Sequence, residues 1–228
     1  MDPGGTLSLV PGLPPVTSPP APTGLGAGRT ALISDIHGDL AGLLAVLADI
    51  ARRGCERILC LGDVVGHGPQ ADNPEVIRIL RERGIPAVRG NHDRPHHHQL
   101  PAEDSAFLDA LPDTLEDGDC LYTHISPRRH RLRRVDDPRE AGEVLAECRH
   151  RLIFLGHTHI PFVFSARRGS GGPAQSHPIF HNRPYPLHRE ERYVICVGPV
   201  TTGRDRIHRP RYQIHDHGAQ TIEIALPP

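Results

Sequence analysis

The distribution of apolar and polar positions changes abruptly at Thr30. Ala31-Leu32-Ile33 forms a short apolar run, after which Leu40, Leu43, Leu44, Leu47 and Ile50 recur at helical spacing up to Gly54. That pattern predicts a strand and then a helix over 40–53, closed by the glycine. Ile58-Leu59-Cys60-Leu61 repeats the strand signal, and Pro74, suited to a first turn, opens a second helix running to Arg83. Three more runs follow: Ile85 to Val88, Cys120-Leu121-Tyr122 and Leu152-Ile153-Phe154-Leu155, the last two flanking a helix over 139–148. Short apolar runs alternating with helical patterns predict an α/β layered domain. Beyond Pro161 the texture is strand-like, at Phe162–Ser165, Tyr193–Val197, Arg211–His215 and Thr221–Leu226. A Gly/Pro/Ser-rich segment between them, Gly169 to Pro178, is expected to be a mobile loop. No internal repeat is visible.

Composition sharpens the boundaries. Residues 1–28 are rich in Pro, Gly, Ser and Thr and carry one charge, Asp2. Such a stretch buries too little apolar surface to offset its ordering entropy, so it is expected to be a disordered tail, with one domain over 29–228. The chain as a whole, at 37% hydrophobic and 23% charged residues, is of the globular class. A formal net charge of −1 advertises neither a nucleic-acid nor a membrane partner. Aromatics at 4%, with no Trp, leave few platforms for stacking bases. No stretch is long and apolar enough for a membrane helix and no secretory leader is recognisable, so a cytoplasmic location is expected. The five cysteines are scattered and outside CxxC pairs, which predicts free thiols. The 17 histidines are the compositional outlier, and their positions carry the chemistry.

Each apolar run hands over to residues of one chemical kind. The first leads to Asp35-Ile36-His37, the second to Gly62-Asp63, the third to Gly90-Asn91-His92-Asp93, the fourth to His124, the fifth to Gly156-His157-Thr158-His159. In open α/β sheets ligands bind at the carboxyl ends of strands. Five neighbouring strands would therefore bring Asp35, His37, Asp63, Asn91, His124, His157 and His159 to one cleft. Carboxylate, amide and imidazole together suit borderline divalent ions such as Mn, Fe or Zn better than Ca or Mg. The set is too large for one ion and about right for two with a shared carboxylate.

In order and spacing these motifs resemble the calcineurin-like metallophosphoesterase superfamily, over residues 30 to 216. Ser34-Asp35-Ile36-His37-Gly38-Asp39-Leu40 and Leu61-Gly62-Asp63-Val64-Val65-Gly66-His67-Gly68-Pro69 resemble its small prokaryotic single-domain branch, loosely grouped with diadenosine tetraphosphatases and protein Ser/Thr phosphatases. The resemblance implies a four-layer α/β/β/α sandwich with the metals at one end of two facing sheets. It implies one ion on Asp35, His37, Asp63 and His159, and a second on Asp63, Asn91, His124 and His157. The expected activity is hydrolysis of phosphate mono- or diesters by a hydroxide bridging two divalent ions, Mn foremost, with Fe, Zn or Ni as alternatives. His92 is then the expected general acid, imidazole being the side chain that exchanges protons near neutrality, and Asp93 is expected to orient or charge-stabilise it. Arg89 resembles the phosphate-contacting arginine of protein phosphatases. His67 stands where those enzymes carry another arginine, which weakens the protein-phosphatase reading.

The expected partner is a phosphorylated small molecule or nucleotide, without membrane association or stable nucleic-acid binding. Two alternatives use the same residues. A non-catalytic scaffold of the same fold would keep the metals without turnover. A nuclease would draw on the basic stretch Arg128 to Arg134, which otherwise reads as an exposed face balanced by Asp136, Asp137 and Glu140. His96-His97-His98 reads as a solvated loop at the cleft mouth, and any substrate role for Arg204 or Arg206 has only a loose motif behind it.

Overall fold

The computed structural model describes residues 28–94, 99–128, 134–201 and 207–228. The first half alternates strand and helix: β1 (Arg29–Ile33), α1 (Leu40–Arg52), β2 (Arg57–Cys60), α2 (Asn73–Glu82) and α3 (Ala102–Asp109). Then come β3 (Thr114–Asp117), β4 (Cys120–Thr123), α4 (Pro138–Glu147), β5 (Leu152–Leu155) and β6 (Phe162–Arg167). The chain closes with β7 (Gln175–His177), β8 (Tyr185–Pro186), β9 (Glu191–Cys196), β10 (Tyr212–Asp216) and β11 (Thr221–Ala225). Side-chain caps fix three helix starts, because Asp39, Asp72 and Asp137 accept from the first-turn N–H groups of α1, α2 and α4.

The strands form two sheets. One has the order β2-β1-β10-β11-β8, the other β3-β4-β5-β9-β6-β7. Period-two alternation places the layers. Ala31 and Ile33 of β1, with Tyr212 and Ile214 of β10, pack against Leu43, Val46, Leu47 and Ile50 of α1 and Val76, Ile77 and Leu80 of α2. Leu32, between them in sequence, faces the other way and shares a core with Tyr122, Phe154, Tyr193 and Ile195 of the second sheet. The far face of that sheet, with Leu121, Ile153 and Val194, packs on Ala141, Val144 and Leu145 of α4. The result is helix, sheet, sheet, helix: the four-layer sandwich that the resemblance implied.

Two expectations need correction. The run Ile85 to Val88 is not a strand. It makes one parallel bridge, Cys60 to Ala87, flanked by Cys60 N donating to Pro86 O (2.9 Å) and Val88 N donating to Cys60 O (3.0 Å). Pro86 has no N–H to carry a ladder further. Nor do the five runs belong to neighbouring strands of one sheet. β1 and β2 lie in the first sheet, β4 and β5 in the second. The segment 169–178 also contains β7, paired antiparallel with β6. The tail expected over 1–28 lies outside the described residues up to residue 27. No described helix is long and apolar enough to cross a membrane. All five cysteines are free.

Candidate metal centre

The loops that leave β1 and β2 continue side by side after the strands end. Asp35 N donates to Gly62 O (2.9 Å), His37 N to Asp63 O (2.9 Å) and Gly38 N to Val64 O (3.0 Å). The other loops close in just as tightly: a Cβ on Gly90 would collide with Asp63, and one on Gly156 with Ser34 Oγ. Glycine in these motifs therefore answers to backbone packing. The polar residues beside them are bent instead. Asp35, His37, Asp63, His157 and His159 have φ of 52°, 49°, 53°, 68° and 60°, five of the seven non-glycine residues with positive φ among those described. L-residues enter this region at a cost, and such strain gathers at functional sites.

These bends aim the side chains at one another. His37 Nε2 lies 3.1 Å from His159 Nε2, and His159 Nε2 lies 3.3 Å from Asp35 Oδ1. Asp63 Oδ2 is 3.5 Å from His37 Nε2 and 3.1 Å from His124 Nε2. His124 Nε2 in turn is 3.2 Å from Asn91 Oδ1. Ligand atoms of Asp35, His37 and His159 fall within 4.8 Å of one another, as do those of Asp63, His124 and His157, and those of His37, Asp63 and His92. All seven expected ligands converge, from the ends of both sheets.

The electrostatics suit cation binding. Burial works to raise the Asp35 and Asp63 carboxyls, but hydrogen bonds and charge from His159 and His124 outweigh it and hold both below the usual carboxylate range. Burial lowers His37 and His157 to about 4, so their rings are neutral lone-pair donors at neutral pH. His124 moves up despite its burial, because in the metal-free chain Asp63 accepts from its Nε2–H, a proton that a bound cation would displace. Its Nδ1 sits 2.6 Å from Leu61 O. A carbonyl has no proton to give, so Nδ1–H donates there and Nε2 is turned to the site, the arrangement of an imidazole ligand with a carbonyl orienting it. Two carboxylates, an amide oxygen and four imidazoles fit divalent ions of the Mn, Fe and Zn type.

His92 lies against this cluster. Its N–H donates to Asp63 Oδ1 (2.8 Å), and its ring packs edge-on to His37, with centroids 4.9 Å apart, and to His67, at 5.2 Å. Asp93 does something other than the orienting expected of it. It is fully buried, its Oδ1 accepting from Val64 N (2.7 Å) and Val65 N (3.1 Å) and its Oδ2 from Gly90 N (2.8 Å). It braces the Asp63 loop against the Asn91 loop. Arg89 also departs from expectation: its Nη2 donates to Asp109 O and Leu111 O, both at 2.7 Å. Those bonds tie it to the connection after α3 and leave a phosphate-gripping role without geometric support.

Sequence reasoning missed Asn73. Its side chain accepts from Gly66 N (2.9 Å) and donates to Gly66 O (3.0 Å), clamping the loop that carries His67. An Asn at the start of a helix reads as a capping signal, and nothing in the sequence announces the clamp. Arg128 is held by Glu140 (3.1 Å), Glu147 (2.9 Å) and Glu143 of α4, while Arg134 pairs with Asp136 at 3.5 Å. His96-His97-His98, Arg129 to Arg133, Arg204 and Arg206 lie outside the described residues.

Comparison with known proteins agrees with this geometry. Residues 29–177 match the calcineurin-like phosphoesterase superfamily domain. The uncharacterised protein MJ0912 of Methanocaldococcus jannaschii is 32% identical over 224 residues, covering 85% of each chain. A metallophosphoesterase structure from Sphaerobacter thermophilus superposes with a TM-score of 0.74 at 30% identity, over 87% of each chain. The structure of PH1004 from Pyrococcus horikoshii shares the fold, with a TM-score of 0.59 at 17% identity over 86% of each chain. With its motifs, its four-layer fold and its converged donor set, the chain belongs to the calcineurin-like phosphoesterase superfamily and is a metal-dependent hydrolase of phosphoric esters.

Proposed function

We propose that the chain hydrolyses phosphate mono- or diesters of small molecules or nucleotides with two divalent cations, Mn foremost. The observation that carries this reading is the position of Asp63. One carboxylate oxygen lies 3.5 Å from His37 Nε2 and 3.1 Å from His124 Nε2, and so belongs to both donor groups. Asp35, His37, Asp63 and His159 would hold one ion, and Asp63, Asn91, His124 and His157 the other. Such a pair of ions, when bound, neutralises phosphate oxygens and lowers the pKa of water toward neutrality. The rest falls to the chain itself. Leu61 O sets the tautomer of His124, the Asp93 brace fixes the spacing of the two ligand loops, and His92 protonates the departing oxygen. The acidic face of α4 engages Arg128, which supports a small substrate over a nucleic acid.

Elemental analysis of the purified chain is expected to find two divalent ions per chain. Turnover of p-nitrophenyl phosphate or bis-p-nitrophenyl phosphate should require added Mn and disappear with EDTA. A chain that binds two ions and turns over neither ester would be the scaffold instead. One that takes up no divalent ion would end the reading.

A further inference from the structure

The two histidines of the last motif hang on one short turn, 156–160, and side chains outside the donor set grip it at both ends. Thr158, between His157 and His159, is buried, and its Oγ1 donates to Ile160 O (2.9 Å) and accepts from Ile160 N (3.2 Å). Its own N–H donates to Gly156 O (2.8 Å). Cys196, the last residue of β9, is fully buried; its Sγ donates to Gly156 O (3.4 Å) and lies 3.1 Å from Thr158 Oγ1. A buried thiol keeps its proton at neutral pH and is able to donate it. The β5–β9 register fixes Cys196 opposite Leu155, the residue before the turn. Hydroxyl and thiol, in contact with each other, therefore hold the backbone before His157 and after His159.

We infer that Thr158, backed by Cys196, is a positioning residue for both histidines at once and so sets the affinity of two ions together. The inference rests on the proposed assignment of His159 to one ion and His157 to the other. His157 and His159 have φ of 68° and 60°, a region that an L-residue leaves unless its surroundings hold it there. His157 has a further fastening, its N–H on the Asp35 carboxylate at 3.1 Å. That bond ties one donor to another, whereas the contact of Thr158 with Cys196 ties the turn to β9. Groups that orient metal ligands are worth on the order of 10–100-fold in metal affinity. The hydroxyl is the working part, since valine matches threonine in shape but offers Ile160 neither a donor nor an acceptor.

Mn binding to metal-free protein, followed by titration calorimetry with elemental analysis for the count, tests this without relying on turnover. Thr158→Val should weaken both ions by about tenfold or more, whereas Thr158→Ser, which keeps the hydroxyl, should bind close to wild type. Val194→Ala truncates the core on the same strand as Cys196 and should lower the urea midpoint while leaving Mn affinity unchanged, which separates positioning from a general loss of stability. Cys196→Ala should weaken both ions in the same direction, and combined with Thr158→Val it should cost less than the sum of the two, since the residues act through one contact. Wild-type affinity in Thr158→Val, a Thr158→Ser as weak as Thr158→Val, a loss confined to one ion, or an equal loss in Val194→Ala would each overturn the inference. If Thr158→Val does not fold, Cys196→Ala decides: weaker binding of both ions supports the inference and unchanged binding overturns it. A wild-type chain that takes up fewer than two ions would instead overturn the two-ion reading on which the inference rests.

Discussion

Five of the seven residues expected to carry the donors sit in backbone conformations that oppose folding. A left-handed φ costs an L-residue roughly 1–2 kcal/mol, and glycine almost nothing. His157, at φ 68°, is partly exposed and tests this without a large packing change. In metal-free protein, His157→Gly should exceed His157→Ala in stability by about 1 kcal/mol in urea unfolding, although both lose a ligand. Equal midpoints would mean that the bend is not strained. His92 tests the chemistry in the same way. His92→Ala should keep both ions and lose about 100-fold or more in kcat, steepest for esters with basic leaving groups; an unchanged rate and pH profile would remove it from the mechanism. The expected ligands were legible in sequence because each stands just after an apolar run; for all but Asn91 that run is a strand, whose end places them. Arg89 and Asp93 were not. They share a motif with Asn91 and His92, but adjacency in sequence does not say which way a side chain turns. Arg89 turns outward to Asp109 O and Leu111 O, and Asp93 inward to Val64 N and Gly90 N.

At the scale of elements, β10 is built differently from its neighbours. Tyr212 and Ile214 face the helices, and Tyr212 donates from its hydroxyl to Asp49 (2.9 Å). The alternate residues of the strand, Gln213 and His215, are buried on the opposite face, where His215 lies 5.3 Å from the Phe154 ring. Among the described residues neither ring nitrogen of His215 has a hydrogen-bond partner. Burial, with charge from His217 and Arg151, lowers its pKa from 6.5 to about 3. Above pH 6.5 the ring is neutral in both folded and unfolded chains and costs nothing extra. Between 6.5 and about 3 the unfolded chain takes up a proton that the folded chain refuses, so stability falls as pH falls, by up to roughly 1.4 kcal/mol per pH unit from this group. His215→Phe should therefore shrink the stability difference between pH 7.5 and pH 4.5 by about 2–3 kcal/mol in denaturant titrations. An unchanged acid limb would show that another group governs it. Elements with strong apolar periodicity, such as α1 and α2, or with an unbroken apolar run, such as β5, could be read directly from sequence. α3 could not: only Asp104 and Leu108 of it are buried, so no repeating face exists to detect. β7 and β8 are short and carry no apolar run, and they gain strand character only from partners supplied elsewhere in the chain.

For the whole molecule, the arrangement of the two sheets would give ions bound at the candidate centre a structural role as well. Asp35, His37 and Asp63 leave strands of the first sheet, while His124, His157 and His159 leave strands of the second. The separation into two sheets was not legible from runs of three or four residues, because buried strands are apolar on both faces and say nothing about which sheet they join; only the resemblance pointed to it. Ions shared across this divide would tie the sheets together at one end, and whatever binds the folded chain but not the unfolded one stabilises it by mass action. At about 100 times the dissociation constant that contribution is about 2.7 kcal/mol per site. EDTA should accordingly lower the melting temperature by several degrees, with Mn restoring it. The bridging position makes the test specific. Asp63→Asn removes the group common to both donor sets, so its melting temperature should lie near that of the stripped wild type and respond weakly to EDTA. His92→Ala, which removes no expected ligand, should keep the full response. A wild-type melting temperature indifferent to EDTA, in protein shown to have lost its ions, would mean that the sheets are held by their cores alone and that the centre serves catalysis without serving the fold.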